Sequence, residues 1–111
     1  MNIVTIQNGD FLVIKLQGRL DTAQSSIVEK MFLEILDHGH ERIILDCEDL
    51  DYISSSGLRI FLIAQKKILG VSGTLRICNL QPNIREIFDI SGFSMIFSIS
   101  HDLVAALNPD L

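Results

Sequence analysis

Tryptophan is absent from this chain, tyrosine occurs once, and proline and cysteine occur twice each. With aromatics at only 6%, any core must be assembled mainly from isoleucine, leucine, valine and phenylalanine. Two prolines in 111 residues, alongside 48% hydrophobic content, argue against a disordered chain. The cysteines, Cys47 and Cys78, lie far apart without CxxC spacing, so a disulfide framework or a zinc site is not expected. Both follow apolar, strand-like runs and read as reduced thiols near a core edge, at the ends of neighbouring strands.

Positive charge is also scarce. Nine lysines and arginines against fourteen acidic residues leave a net charge of −5, and Lys66-Lys67 is the only adjacent basic pair. A nucleic-acid binder carries a basic footprint, so direct nucleic-acid binding is not expected. No apolar run approaches a membrane span; none is longer than Ile60 to Ala64. The N-terminal MNIVTIQNGDFLV has no basic region followed by a long apolar core, so no signal peptide is expected. A soluble, cytoplasmic protein without membrane insertion follows as the expectation, built as one domain over residues 1–111.

What the chain does contain is regular alternation. Ile3 to Gln17 reads as a β-hairpin turning at Asn8-Gly9-Asp10, with Leu12, Ile14 and Leu16 on one side and Phe11, Val13 and Lys15 on the other. Gly18-Arg19-Leu20 reads as a break, and Asp21 or Thr22 as the cap of a helix to about Asp37, ended by Gly39. Arg42 to Asp46 and Thr74 to Cys78 are short apolar strands of the kind buried in parallel sheets. Helices are predicted from about Ser56 to Leu69, from Asn83 to Ile90 behind Pro82, and from Ser100 or His101 to Leu107, closed by Pro109. A last strand is predicted over Met95 to Ile99. The order β-β-α-β-α-β-α-β-α implies right-handed crossovers and a mostly parallel sheet.

The most informative stretch is Asp51 to Arg59, DYISSSGLR, which sits between an apolar strand and a helix. Three hydroxyls and a glycine at a helix mouth face the free N–H groups of the first turn and the positive end of the helix dipole. Two readings stand side by side on spacing alone: a plain N-cap with spare hydroxyls, or a serine that is modified or recognised. Enzymatic use is disfavoured, because SSSG lacks the first glycine of a G-x-S-x-G elbow. His38, His40 and His101 fall at element ends without ligand or base spacing. Asp46, Glu48, Asp49 and Asp51 are expected to crowd the loop leading to Ser55. On the helix itself, Leu58, Phe61, Leu62, Gln65 and Leu69 form one stripe; Ile60, Ile63 and Ala64 form a second, facing the terminal helix or a partner.

Taken together, the element order, GRLD (Gly18 to Asp21) and LDCEDLDYISSSGL (Leu45 to Leu58) resemble the STAS domain of bacterial anti-sigma factor antagonists, over essentially the whole chain. The resemblance implies an α/β STAS fold: a mostly parallel four- to five-stranded sheet with an N-terminal β-hairpin. It implies partner switching, in which the unphosphorylated antagonist binds an anti-sigma factor, a serine kinase of the GHKL type, and so releases a sigma factor. Phosphorylation at the helix start ends that interaction, and a PP2C-type phosphatase reverses it. The family pattern Asp-Ser-Ser-Gly-Leu puts the acceptor on Ser55, followed by Ser56, Gly57 and Leu58, with Ser54 standing where the family has aspartate. The family's acidic position after the second strand falls on Asp21. The partner-contacting set is therefore Asp21, Thr22, Ser54, Ser55, Ser56, Gly57, Leu58 and Arg59. No enzyme activity, metal or cofactor is implied, and a monomer or weak homodimer is expected. The alternative is a STAS module in a stress-signalling assembly or a lipid-transport ATPase complex.

The charge arithmetic says where such a switch would act. A phosphate brings about −1.5 to −2 charges at neutral pH. A helix N-terminus favours it by about 0.3–1 kcal/mol. Disrupting a buried polar contact between partners costs about 2–5 kcal/mol, tens- to thousands-fold in affinity. The larger quantity lies at the interface, so the fold is expected to be nearly the same with and without the mark.

Overall fold

A computed structural model describes residues 1–108 of the chain. Strands β1 (Asn2–Asn8) and β2 (Phe11–Leu20) pair antiparallel, from Asn2 opposite Gln17 to Asn8 opposite Phe11, around a two-residue turn with Gly9 at φ +59°. Helix α1 (Thr22–Asp37) follows, capped by Asp21 and ended at His38-Gly39. Next come β3 (Arg42–Asp46), β4 (Leu50–Ile53), α2 (Ser55–Gly70), β5 (Thr74–Cys78) and α3 (Pro82–Ser91). A short 3-10 turn at Phe93–Met95, β6 (Ser98–Ser100) and α4 (Leu103–Leu107) complete the chain. Pro109, expected to close the last helix, lies outside the described residues.

The main sheet runs β1-β2-β3-β5-β6, parallel except at the hairpin, and β4 lies off this path, paired with the end of β2. The alternation in β2 sorts its side chains as expected. Leu12, Ile14 and Leu16 join Ile43, Leu45, Leu75 and Ile77 under α1, α2 and α3. Phe11 and Val13 point the other way with Ile44 and Cys78, where, among the described residues, α4 covers them through Ala106, Leu103 and Leu107. Cys47 directly follows β3 and Cys78 ends the adjacent β5: the Cys47 N–H donates to the Cys78 carbonyl at 3.0 Å. Their side chains belong to the cores on opposite faces, and neither is in a disulfide.

Three expectations about the strands and the last helix need correction. The serine-preceding loop contains a sixth strand, β4, because Leu50 and Ile53 are both drawn into the core while Asp51 and Tyr52 stay exposed. The last strand is not Met95 to Ile99. Phe93 and Phe97 are pulled into a cluster with Phe61 and Phe88, ring centroids 5.8–6.5 Å apart, so the chain coils tightly before β6 begins. Aromatic packing outweighs local strand preference there. The last helix starts at Leu103 rather than at Ser100 or His101, because the Asp102 carboxylate accepts the Ala105 N–H at 2.9 Å and sets the cap.

Helix α2 also buries a different face from the expected stripe. Gly57, Ile60, Phe61, Ala64, Gln65 and Ile68 are buried, whereas Leu69 is 60% exposed. The neighbouring helix on this layer is α1; the terminal helix is on the far side of the sheet. The buried Gln65 donates to the Ile96 carbonyl at 2.9 Å and ties α2 to the segment after the 3-10 turn.

Candidate functional site

The site is built where two strand ends become two helix starts. Gly18, at φ +108°, lies in a left-handed conformation that favours glycine, and the ladder between β2 and β4 slips between Gly18 and Arg19. The expected break at Gly18 is therefore a bulge, and β2 continues through it to Leu20. Beyond it, Arg19 pairs with Tyr52 and Leu20 with Ile53. Leu20 and Ile53 are buried, and each such burial contributes roughly 1.5–3 kcal/mol, against about 1 for a single hydrogen bond. Side-chain burial thus fixes where this ribbon ends, and hydrogen bonds fix its orientation. On the exposed side the Arg19 guanidinium lies 4.2 Å above the Tyr52 ring.

One residue further on, each strand becomes a helix. Asp21 caps α1, its carboxylate accepting the Gln24 N–H at 3.0 Å, and Thr22 is exposed beside it. Ser54 caps α2: its Oγ accepts the Gly57 N–H at 3.1 Å, while its own N–H donates to the Leu20 carbonyl at 2.9 Å. That last bond joins the two helix starts directly. Gly57 has no room for a side chain, since a Cβ would lie 2.8 Å from both Ile53 Cγ1 and Leu20 Cγ. Two positive helix ends therefore sit side by side on one rim.

This arrangement divides the serines. Ser54 is 9% exposed with its hydroxyl committed to the cap, whereas Ser55, the first helical residue, is exposed, and Ser56 is half-buried. Arg59 is exposed one turn along, and Leu58 is half-buried. Of the eight expected contact residues, Thr22, Ser55 and Arg59 are exposed, Asp21, Ser56 and Leu58 are half-buried, and Ser54 and Gly57 serve as the mount.

The acidic residues do not crowd Ser55 as a group. Asp46 is buried at the end of β3, accepting from Asn79 Nδ2 at 3.0 Å and the Glu48 N–H at 3.2 Å, with Lys15 Nζ 3.9 Å away. Glu48 and Asp49 are exposed in the turn before β4; Asp51 is exposed on β4 itself. Gln81, at the N-cap of α3, donates to the Glu48 carbonyl at 3.0 Å and reaches Asp51 at 3.4 Å, bracing this turn. The ribbon, the Arg19–Tyr52 pair and the Gln81 brace are the parts that sequence reasoning missed. Gly18 inside an otherwise continuous strand pattern was the available signal, since isolated glycines in strands mark bulges.

Among the described residues, no three or more His, Cys, Asp or Glu cluster as metal ligands would. No described helix is long and apolar enough to cross a membrane. Burial pushes the Cys47 thiol up, and raises that of Cys78 to about 12, with Asp46 adding to both, so neither is a nucleophile at neutral pH.

Known proteins share both the sequence and the shape. BtrV of Bordetella bronchiseptica, named as an anti-sigma factor antagonist, is 41% identical over 95 residues, covering 86% of this chain and 82% of BtrV. The anti-sigma F factor antagonist of Paenibacillus polymyxa is 31% identical over 97 residues, covering 86% and 83% of the two chains. The solved structure of the Bacillus cell fate determinant SpoIIAA in its phosphorylated form superposes with a TM-score of 0.73 at 23% identity, over 94% of this chain and 96% of that one. Residues 2–106 match the sequence profile of the STAS domain, and this chain belongs to the STAS domain family.

Proposed function

We propose that this protein is an anti-sigma factor antagonist that works by partner switching. In its unphosphorylated form it binds an anti-sigma factor of the GHKL serine-kinase type, and the sigma factor held by that partner is released. The kinase then moves the γ-phosphoryl group of ATP to Ser55 Oγ; ADP leaves, and the hydroxyl proton passes to a base on the kinase. A PP2C-type phosphatase hydrolyses the ester and restores the binding form. The observation that carries this reading is the division between a Ser54 hydroxyl locked into the cap and a Ser55 hydroxyl free on the rim. The names borne by the relatives, and the phosphorylated form of SpoIIAA on the same fold, support it.

In this reading the docking rim comprises Asp21, Thr22, Ser55, Ser56, Leu58 and Arg59, held by Ser54 and Gly57. The test is incubation of the purified protein with GHKL-type kinases and ATP, followed by mass spectrometry of the peptide carrying Ser54, Ser55 and Ser56. Phosphate on Ser55 is expected; label confined to Ser54 or Ser56 refutes the assignment. Titration calorimetry against the same kinase should show Ser55→Asp binding at least tens of times more weakly than the unmodified chain.

A further inference from the structure

We infer that Arg59 receives the phosphate on Ser55, closing an ion pair along one face of α2 that withdraws this guanidinium from the docking rim. The inference rests on Ser55 being the modified residue. The chain has five arginines, and four are engaged: Arg19 over Tyr52, Arg42 and Arg76 over Phe11, and Arg85 on Asp89. Arg59 is exposed and has no ion-pair or ring partner among the described residues. It gains nothing from the helix either, because a cation near the N-terminal end is on the unfavourable side of the dipole.

Its spacing is what gives it a use. Ser55 and Arg59 are four residues apart on α2 and both exposed, so their side chains are neighbours on one face. The same spacing already closes an ion pair on α3, where Arg85 Nε lies 3.1 Å from Asp89. An acid four residues before a base is the favoured order on a helix. A phosphate offers more charge than a carboxylate and accepts a guanidinium through two oxygens. The mark would then change the rim twice: a negative group appears, and the positive group one turn away is neutralised.

The experiment uses the full chain with phosphoserine encoded at position 55, so no kinase is needed, and follows the phosphate by 31P NMR against pH. The charged groups on the elements that meet at this helix start are Arg19 on β2, Asp21 at the cap of α1 and Asp51 on β4, with Tyr52 beside Arg19, while Glu48 and Asp49 lie further back in the turn before β4; all are common to every variant compared. A phosphoserine loses its second proton near pH 6. With Arg59 present that midpoint should lie lower than in Arg59→Gln by about 0.2–0.4 of a pH unit. Arg59→Lys should keep most of the difference, and about 1 M salt should abolish it. Identical titrations for the parent and Arg59→Gln, or a difference that salt leaves untouched, overturn the inference. Because the phosphate is installed during synthesis, either result leaves the kinase and binding tests of the proposed function standing on their own.

Discussion

Removing one hydroxyl from Ser54 and one from Ser55 should have opposite consequences, although the residues are adjacent and chemically identical. Ser54 Oγ accepts the Gly57 N–H at 3.1 Å, and Gly57 is buried against Leu20 and Ile53. Loss of a serine cap costs about 0.5–2 kcal/mol. Here water has poor access to the orphaned N–H, which places Ser54→Ala in the upper half of that range, at about 1–2 kcal/mol. For a domain near this size each kcal/mol moves the melting temperature by roughly 4–8 °C. Ser54→Ala should therefore melt roughly 4–16 °C lower in calorimetry. Ser55→Ala removes an exposed hydroxyl with no hydrogen-bond partner among the described residues and should stay within about 0.5 kcal/mol of the parent. Ser54→Asp keeps an acceptor at the cap and adds a favourable charge at the helix start, so it should recover most of the loss. Equal losses for the two alanine variants, or a neutral Ser54→Ala, would refute the division of labour between these serines.

Three further outcomes follow from the same geometry. Gly57→Ala forces a Cβ to 2.8 Å from Ile53 and Leu20; overpacking of about 1–3 kcal/mol exceeds the gain of up to about 1 from alanine's helix preference, so the urea midpoint should fall. Ser55→Asp should leave the far-ultraviolet circular dichroism spectrum nearly unchanged, and a large change would count against a switch read only at the surface. Cys78, raised to about 12 in the folded state, keeps its proton when the unfolded thiol has lost it. Its contribution is intact below about pH 8.5 and is lost as pH rises through about 12. Urea midpoints of the parent should thus drop more steeply between pH 8.5 and 10.5 than those of Cys78→Ala, and parallel curves would contradict this.

The elements that could be read in advance are those whose local pattern and tertiary role agree. Arg42–Asp46 and Thr74–Cys78 are apolar strands with nowhere to go but the sheet centre, and α1 begins and ends at its own Asp21 and Gly39 signals. The Ser55 turn was readable for the same reason, since a hydroxyl cap before a long apolar helix is a local feature. The misreadings all involve partners distant in sequence. Nothing in Leu50-Asp51-Tyr52-Ile53 announces pairing with Gly18–Leu20, more than thirty residues earlier. Likewise Asp46 looks like any loop acid until Lys15 on β2 and Asn79, just past the end of β5, arrive and bury it. Which face of α2 is inside depended on α1 lying beside it, a fact of layer order and not of periodicity.

These same distant contacts decide how a modification at Ser55 must work. Leu20, Leu50 and Ile53, all buried, anchor the ribbon beneath the two helix starts with roughly 1.5–3 kcal/mol each. A phosphate at an exposed helix N-terminus changes the energy of this chain by only about 0.3–1 kcal/mol, and in the stabilising direction. It lacks both the sign and the size to lift α2 off Leu20 and Ile53, so no refolded state can carry the signal. What it does alter is the charge on a rim whose backbone is held rigid, and a surface held that firmly imposes the change wholly on whatever docks there. Under the proposed switch at Ser55, this buried mount is what would let a small electrostatic event on one hydroxyl be read by another protein as a difference in binding.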